Sequence, residues 1–182
     1  MTALLIPVAI LAIVFYFFSS RVSPIPYFPT NHKDLSLIIK TFKLKNNQVI
    51  FDLGAGDGTV LFKAASEAYN KNLDTVFVAI EINILLVAFL MVCRFFHPNK
   101  EQIHIIWGDM FKFDYNFGNY IDNSKDAIFY IYISPWFTER VWNLISKLGK
   151  PVRVISYFYP ISSKKHLDKA TGAHDIFTYQ LK

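Results

Sequence analysis

Val49-Ile50-Phe51-Asp52-Leu53-Gly54-Ala55-Gly56-Asp57-Gly58 decides how this chain is read. A β-branched and aromatic run ends at an acid and falls into a loop holding Gly54, Gly56 and Gly58. A helix-like pattern, Thr59 to Tyr69, follows at once. The order predicts a strand, a tight turn and a helix start. Glycines let the backbone take positive φ and place no Cβ in the path of a ligand. The helix start offers unpaired N–H groups and the positive end of a dipole. Such a turn suits a nucleotide-type ligand.

A dinucleotide fingerprint has the spacing Gly-x-Gly-x-x-Gly. Here the third glycine falls one residue early, at Gly58, and Thr59 occupies the fingerprint position. The turn also carries Asp52 and Asp57, whose carboxylates would repel a diphosphate and attract a cation. An NAD-dependent oxidoreductase is disfavoured on both counts. S-adenosylmethionine (SAM) has no phosphate, a sulfonium and an ammonium, and so fits. As it stands, Asp52-Leu53-Gly54-Ala55-Gly56-Asp57-Gly58 resembles the first motif of the class I SAM-dependent methyltransferases. The competing reading is a glycine turn of another α/β protein.

Downstream residues extend the pattern. Thr75 to Ile82 is apolar except for Glu81, as expected of a central parallel strand with an acid at its carboxyl end. Glu81 is placed to accept from both hydroxyls of a SAM ribose, against the alternative of an exposed strand-end acid. Asn83 is a cap for the next helix, Ile84 to Phe95. That helix is apolar nearly all round, so it is either deeply buried or in contact with a membrane surface. After a third strand, Ile103 to Trp107, Asp109 is assigned to the adenine amino group and Met110 to packing on the ring. A turn acid and a core residue are the plainer readings of these two. Ala127 to Ile133 forms a fourth strand, closed by Ser134-Pro135-Trp136. Ser134 and Trp136 stand where a methyl acceptor enters. Equally, Ser-Pro is ordinary helix-start chemistry for Thr138 to Leu148. Pro151 to Tyr159 is a fifth strand, Pro160 to Gly172 a polar loop or short helix, and Ile176 to Leu181 an edge strand.

Met1 to Ser20 carries no charged side chain. As a helix it would be roughly 30 Å long, the thickness of a bilayer's hydrocarbon core. Phe15 to Phe18 and Arg21 close it like an interfacial aromatic belt with a positive anchor. A cleaved signal peptide fits less well: no basic residue precedes the segment, and bulky aromatics stand where cleavage would occur. The expectation is a single-pass membrane protein with its catalytic domain on the cytoplasmic side. Three prolines follow between Pro24 and Pro29. Composition favours a stiff spacer there; the other reading folds Tyr27 to Thr30 over the site as a lid. Thr30 or Asn31 caps a helix from Asp34 to Phe42.

The chain has 182 residues and a net charge of +5. Its basic residues are scattered, with only Lys164-Lys165 adjacent. A nucleic-acid footprint is denser, so the charge points instead to an anionic membrane surface. The single cysteine, Cys93, sits in an apolar run and reads as core; no intrachain disulfide can form. No metal-ligand spacing or nucleophile–base pairing is visible, so no metal site is assigned.

Taken in order, the apolar segment, Pro26-Tyr27-Phe28-Pro29-Thr30, the glycine motif, Glu81, Gly108-Asp109 and Ser134-Pro135-Trp136 resemble one family within that class. It comprises the small membrane-anchored protein lysine methyltransferases acting on the ATP synthase c subunit and the adenine nucleotide translocase, with their prokaryotic relatives. One departure is Ile80-Glu81-Ile82, where the family more often has a polar or aromatic neighbour. The resemblance implies a compact α/β Rossmann-like methyltransferase sheet, about six to seven mostly parallel strands, over 34–182. An N-terminal transmembrane helix (1–20) and a proline-rich linker or lid (21–33) would precede it. It implies SAM as cofactor, bound by Asp52, Gly54, Ala55, Gly56, Asp57, Gly58, Glu81, Asp109 and Met110. Tyr27, Ser134 and Trp136 would serve the acceptor, with Tyr27 and Trp136 lining its channel. The substrate implied is a lysine of a protein, itself a membrane protein in the named relatives. The alternatives are a methyltransferase of a lipid, quinone or other small molecule, and a non-catalytic membrane-tethered SAM-binding module.

Overall fold

The computed structural model describes residues 27–115 and 126–181. The expected span Met1–Ser20, linker residues 21–26 and loop residues 116–125 lie outside the described residues. Among those described, no helix is long and apolar enough to cross a membrane.

Seven strands form one sheet in the order β3-β2-β1-β4-β5-β7-β6. They are β1 (Gln48–Leu53), β2 (Val76–Glu81), β3 (Ile103–Trp107), β4 (Asp126–Ile131), β5 (Val152–Tyr157), β6 (Asp168–Thr171) and β7 (Asp175–Leu181). The first five are parallel, whereas β7 runs antiparallel to both β5 and β6. Strand β1 is buried on both faces, which is why it reads as an unbroken apolar run rather than an alternation. Alternate residues of β1 serve two cores. Val49, Phe51 and Leu53 pack with Phe129, Ile131, Val141 and Ile145. Ile50 packs on the other face with Ile38, Phe42, Val60, Leu61 and Leu90.

Helices α1 (Leu35–Phe42), α2 (Thr59–Asn70) and α3 (Ile84–Phe96) supply the second face, and α4 (Pro135–Ser146) supplies the first. Helix α3 is neither deeply buried nor amphipathic. Leu86, Val87 and Leu90 are buried, while its outward residues, apolar too, are exposed. Asn83 caps it, accepting from the N–H groups of Leu85 and Leu86.

Several expectations are corrected. Helix α1 is not capped by Thr30 or Asn31; Asp34 holds the N-cap position and turns its carboxylate elsewhere. Helix α4 starts earlier than expected, with Ser134 at the N-cap and Pro135 at the first turn. The fixed φ of proline suits that position, where its missing N–H has no partner to lose. The stretch from Pro160 to Gly172 holds strand β6, which sequence periodicity hid because none of its four residues is fully buried. Consequently β7 is not an edge strand: it lies between β5 and β6, and four of its residues in succession, Ile176 to Tyr179, are buried. Cys93 is partly exposed rather than core, and burial followed by the charge of Asp57 pushes its thiol up, away from reactivity.

Candidate active site

Strand order reverses at β1: chain progression runs outward to β3, returns to β4 beside β1, and continues the other way. In such sheets, ligands bind outside the carboxyl ends of the strands at that reversal. The loop Gly54 to Gly58 occupies this point. The Gly54 and Ala55 N–H groups both donate to Ile80 O, at 2.9 and 3.1 Å, pinning the loop to β2. The Gly58 N–H closes a turn onto Ala55 O at 2.9 Å. Asp57 Oδ1 accepts from Thr59 N at 3.0 Å as helix α2 begins.

Glu81 fastens the loop from the other side. Its Oε2 accepts from Gly56 N and its Oε1 from Asn83 N, each at 2.8 Å. The Ile82 N–H also donates to this carboxylate, which keeps acceptor capacity for a further donor.

Gly56 has φ +58°, and a Cβ there would stand 2.8 Å from the ring of Tyr27. Glycine therefore serves two needs, the left-handed backbone and the close approach of an aromatic lid. Tyr27 lies over the loop, and Phe28 and Thr30 line with it the same cleft as Asp52 and Glu81. The Tyr27 hydroxyl hydrogen-bonds Asp57. Burial, then that acid's charge and hydrogen bond and the charge of Glu81, push it up to about 12.

The cleft is also lined by Asp109, Met110, Phe111, Tyr130 and Tyr132. Asp109 Oδ1 accepts from Phe111 N at 2.9 Å, and Lys112 Nζ lies 3.9 Å from its Oδ2. Met110 approaches Gly54, its methyl 3.0 Å from where a Cβ would stand. Every residue assigned to the cofactor is near this cleft, and all but Gly58 line it; Gly58 instead packs beneath Leu90 and Phe62 at the head of α2.

The electrostatics are lopsided. Asp52, Asp57, Glu81 and Asp109 line the cleft, with no lysine or arginine among the described lining residues. Asp52 is 5% exposed, and no donor among the described residues hydrogen-bonds its carboxylate. Burial, then the charges of Glu81 and Asp57, push its carboxyl up to about 8. Glu81 is raised too, burial outweighing its backbone donors from Asn83, Gly56 and Ile82.

Ser134 and Trp136 do not join this cleft. They line a neighbouring vestibule with Phe28, Tyr132, Phe158 and Tyr159. Phe28, Tyr132 and Ile133 line both spaces and so connect them. Trp136 is 85% exposed, and Tyr27 borders only the inner cleft. Tyr27 and Trp136, expected to line one acceptor channel, border two connected spaces instead: Tyr27 the inner cleft and Trp136 the aromatic vestibule. Sequence reasoning missed Tyr132, Phe158 and Tyr159. The available signal was position: Tyr132 follows β4, while Phe158 and Tyr159 follow β5, both at the carboxyl edge.

No family model matches the chain, and no curated protein matches it. Solved structures do. The chain is similar to an RNA methyltransferase from Salinibacter ruber in complex with S-adenosyl-L-homocysteine. That likeness has 17% identity and TM-score 0.67, over 85% of this chain and 94% of that one. It is similar to a precorrin-6Y C5,15-methyltransferase from Geobacter metallireducens GS-15, at 10% identity and TM-score 0.56, covering 85% and 89% of the two chains. A SAM-dependent methyltransferase from Geobacter sulfurreducens, also bound to S-adenosyl-L-homocysteine, gives 15% identity and TM-score 0.52 over 71% of this chain and 50% of its own. At such identities these likenesses establish the fold, a seven-stranded sheet of the class I SAM-dependent methyltransferase type.

Proposed function

We propose that this protein is a SAM-dependent methyltransferase, held at a membrane through Met1–Ser20, that methylates lysine side chains of a protein substrate. The observation that carries the cofactor is the acid-lined cleft around the glycine loop, which has no lysine or arginine among its described lining residues. Three carboxylates face one another there, and burial keeps the Asp52 proton in place up to about pH 8. A ligand bearing an ammonium and a sulfonium relieves that repulsion, whereas a diphosphate worsens it. The residues present therefore fit SAM. Asp52 and Asp57 would face its cationic end, Glu81 would take the ribose hydroxyls, and Asp109 and Met110 would hold the adenine.

Bound SAM supplies a methyl group made electrophilic by its sulfonium. The chain's own work is alignment and exclusion of water, since methyl transfer is an in-line displacement with little acid–base demand. Tyr27, seated on Gly56, covers the cleft. Phe28, Tyr132 and Ile133 form the passage along which an acceptor reaches the methyl group. A lysine must arrive neutral, against a free pKa of about 10.4. The aromatic passage desolvates the amine and lowers that value. The faces of Trp136 and Phe158 then favour the methylammonium as it leaves.

Purified protein, membranes and labelled SAM test this reading, with mass spectrometry locating the label. Label on a lysine side chain supports it. Label in the lipid or quinone fraction moves the substrate to a small molecule. SAM binding by calorimetry without turnover on any cell fraction would mean a binding module.

A further inference from the structure

We propose that the outer face of α3 lies in the interfacial layer of the bilayer, so that the domain is seated on the membrane as well as tethered to it. The proposal rests on the membrane reading of Met1–Ser20 above.

Leu85, Phe89, Val92 and Phe96 recur at the spacing of one helix stripe, and Ile84 and Phe95 flank it; all six are exposed. Phe96 is 78% exposed. Scattered apolar residues on a surface mean little, but a contiguous face of them marks an interaction site. The helix carries one charged residue, Arg94, and its Nε is engaged by Ile103 O at 2.5 Å, directed onto β3. The outer stripe therefore holds no charge to desolvate. Trp107, at the end of the adjacent edge strand β3, is 64% exposed, yet its indole N–H already donates to Ile82 O at 3.0 Å. Its ring can leave water without losing a hydrogen bond. Lys100 follows the helix with its Nζ 5.8 Å from the centre of the Phe95 ring. A lysine there can lay its stem on apolar surface and keep its ammonium among headgroups.

Chain length identifies the bilayer as the occupant. Six residues, 21–26, separate Ser20 from Tyr27. Fully extended they reach roughly 20 Å. Tyr27 shares its cleft with Asn83 and Leu86 at the start of α3. Helix α3 has 13 residues, so its length is also roughly 20 Å. A membrane boundary at Ser20 therefore lies within about one helix length of this face. A segment spent on crossing the bilayer is not free to cover α3.

The test uses the full chain in vesicles of phosphatidylcholine and phosphatidylglycerol. Nitroxide labels are placed at Phe89→Cys, Phe96→Cys and, as a control on the opposite face of the sheet, Asn143→Cys, each with Cys93→Ser. Collisions with oxygen and with a nickel chelate report depth. Vesicles should raise the oxygen-to-nickel ratio roughly threefold or more at 89 and 96, as expected below the headgroups, and leave 143 unchanged. A carbonate wash reads the tether separately. Labels open to nickel on a chain that survives the wash overturn the seating and leave the tether standing. Labels shielded from both reagents also overturn it, because Met1–Ser20 or a second copy then covers α3. Lipid depth in a chain released by the wash supports the seating and removes the tether. A chain that never binds vesicles overturns both. Phe96→Glu, at an exposed position, should abolish the depth signal while leaving the SAM Kd unchanged.

Discussion

Asp34 is 1% exposed and Asp52 is 5% exposed, but their surroundings are opposite. Asp34 accepts from the Tyr157 hydroxyl at 2.7 Å and from the N–H groups of Ala173 and His174 at 2.6 and 2.9 Å. Burial pushes its pKa up, but the hydrogen bonds from Tyr157, Ala173 and His174 outweigh that and hold it below the ordinary value. This carboxylate ties the start of α1 to the β6–β7 turn, and its role is structural. Asp52 meets Glu81 and Asp57 instead of donors, and its carboxyl is pushed up to about 8. A buried acid with its donors built in holds a fold together. One without them costs stability until a cationic ligand arrives.

The sharpest way to break this contrast is Asp52→Asn. SAM affinity should fall roughly 1,000-fold by calorimetry, the scale of losing one side of a buried charge pair. The same change should raise the melting temperature of the ligand-free protein at pH 7. The sign follows from linkage. A carboxyl with a raised folded pKa holds its proton in the native state while the unfolded chain has released it. Stability from this group is therefore full below the unfolded value near 3.8 and is lost as pH rises toward about 8. Asn removes that slope. SAM affinity of the unaltered protein should rise with pH up to about 8, with proton release on binding. A variant that binds SAM normally, or an unaltered protein whose affinity ignores pH, would sink the cofactor assignment.

Next in size, Asp34→Asn should destabilise by about 3 kcal/mol in urea, since it strands buried donors, yet change SAM affinity by less than about threefold. Its pH signature is the reverse. With a lowered folded pKa, stability from Asp34 is present above the ordinary carboxylate value and is lost as pH falls through the native one. If Asp34→Asn instead removed SAM binding at unchanged stability, the division into structural and ligand-awaiting acids would be wrong.

The smallest effect sharpens how the lid contributes. Gly56→Ala meets both a positive φ and the Tyr27 ring, and should cost about 1 kcal/mol of stability. SAM dissociation should accelerate more than association slows, because a displaced Tyr27 no longer covers the cleft. Stopped-flow binding separates the two rates.

Much of this architecture was legible in the chain. The run Val49 to Leu53 and the three glycines gave strand, turn and helix, because a central parallel strand is apolar throughout and a close-approach loop needs glycine. Asp52, Glu81 and Asp109 were legible because an acid ending an apolar strand is conspicuous. Strand β6 was not, since an edge strand that buries no residue leaves no periodic trace. Nor could β7 be placed between β5 and β6, because strand order depends on pairings far apart in sequence. The vestibule escaped for the same reason: Phe28, Tyr132 and Phe158 come from three separate segments and meet only when the sheet forms.

That placement of β7 has a bearing on biosynthesis. Among the described residues, strand β5 presents its outer side to β7 alone, with Val152 opposite Leu181 and Tyr157 opposite Ile176, and β6 pairs only with β7. As the chain leaves the ribosome, five parallel strands emerge with one flank uncovered, and β6 emerges with nothing to pair with. Translation must reach Leu181 before that flank closes. If Met1–Ser20 is the membrane segment proposed above, its delivery to a bilayer would precede completion of the sheet.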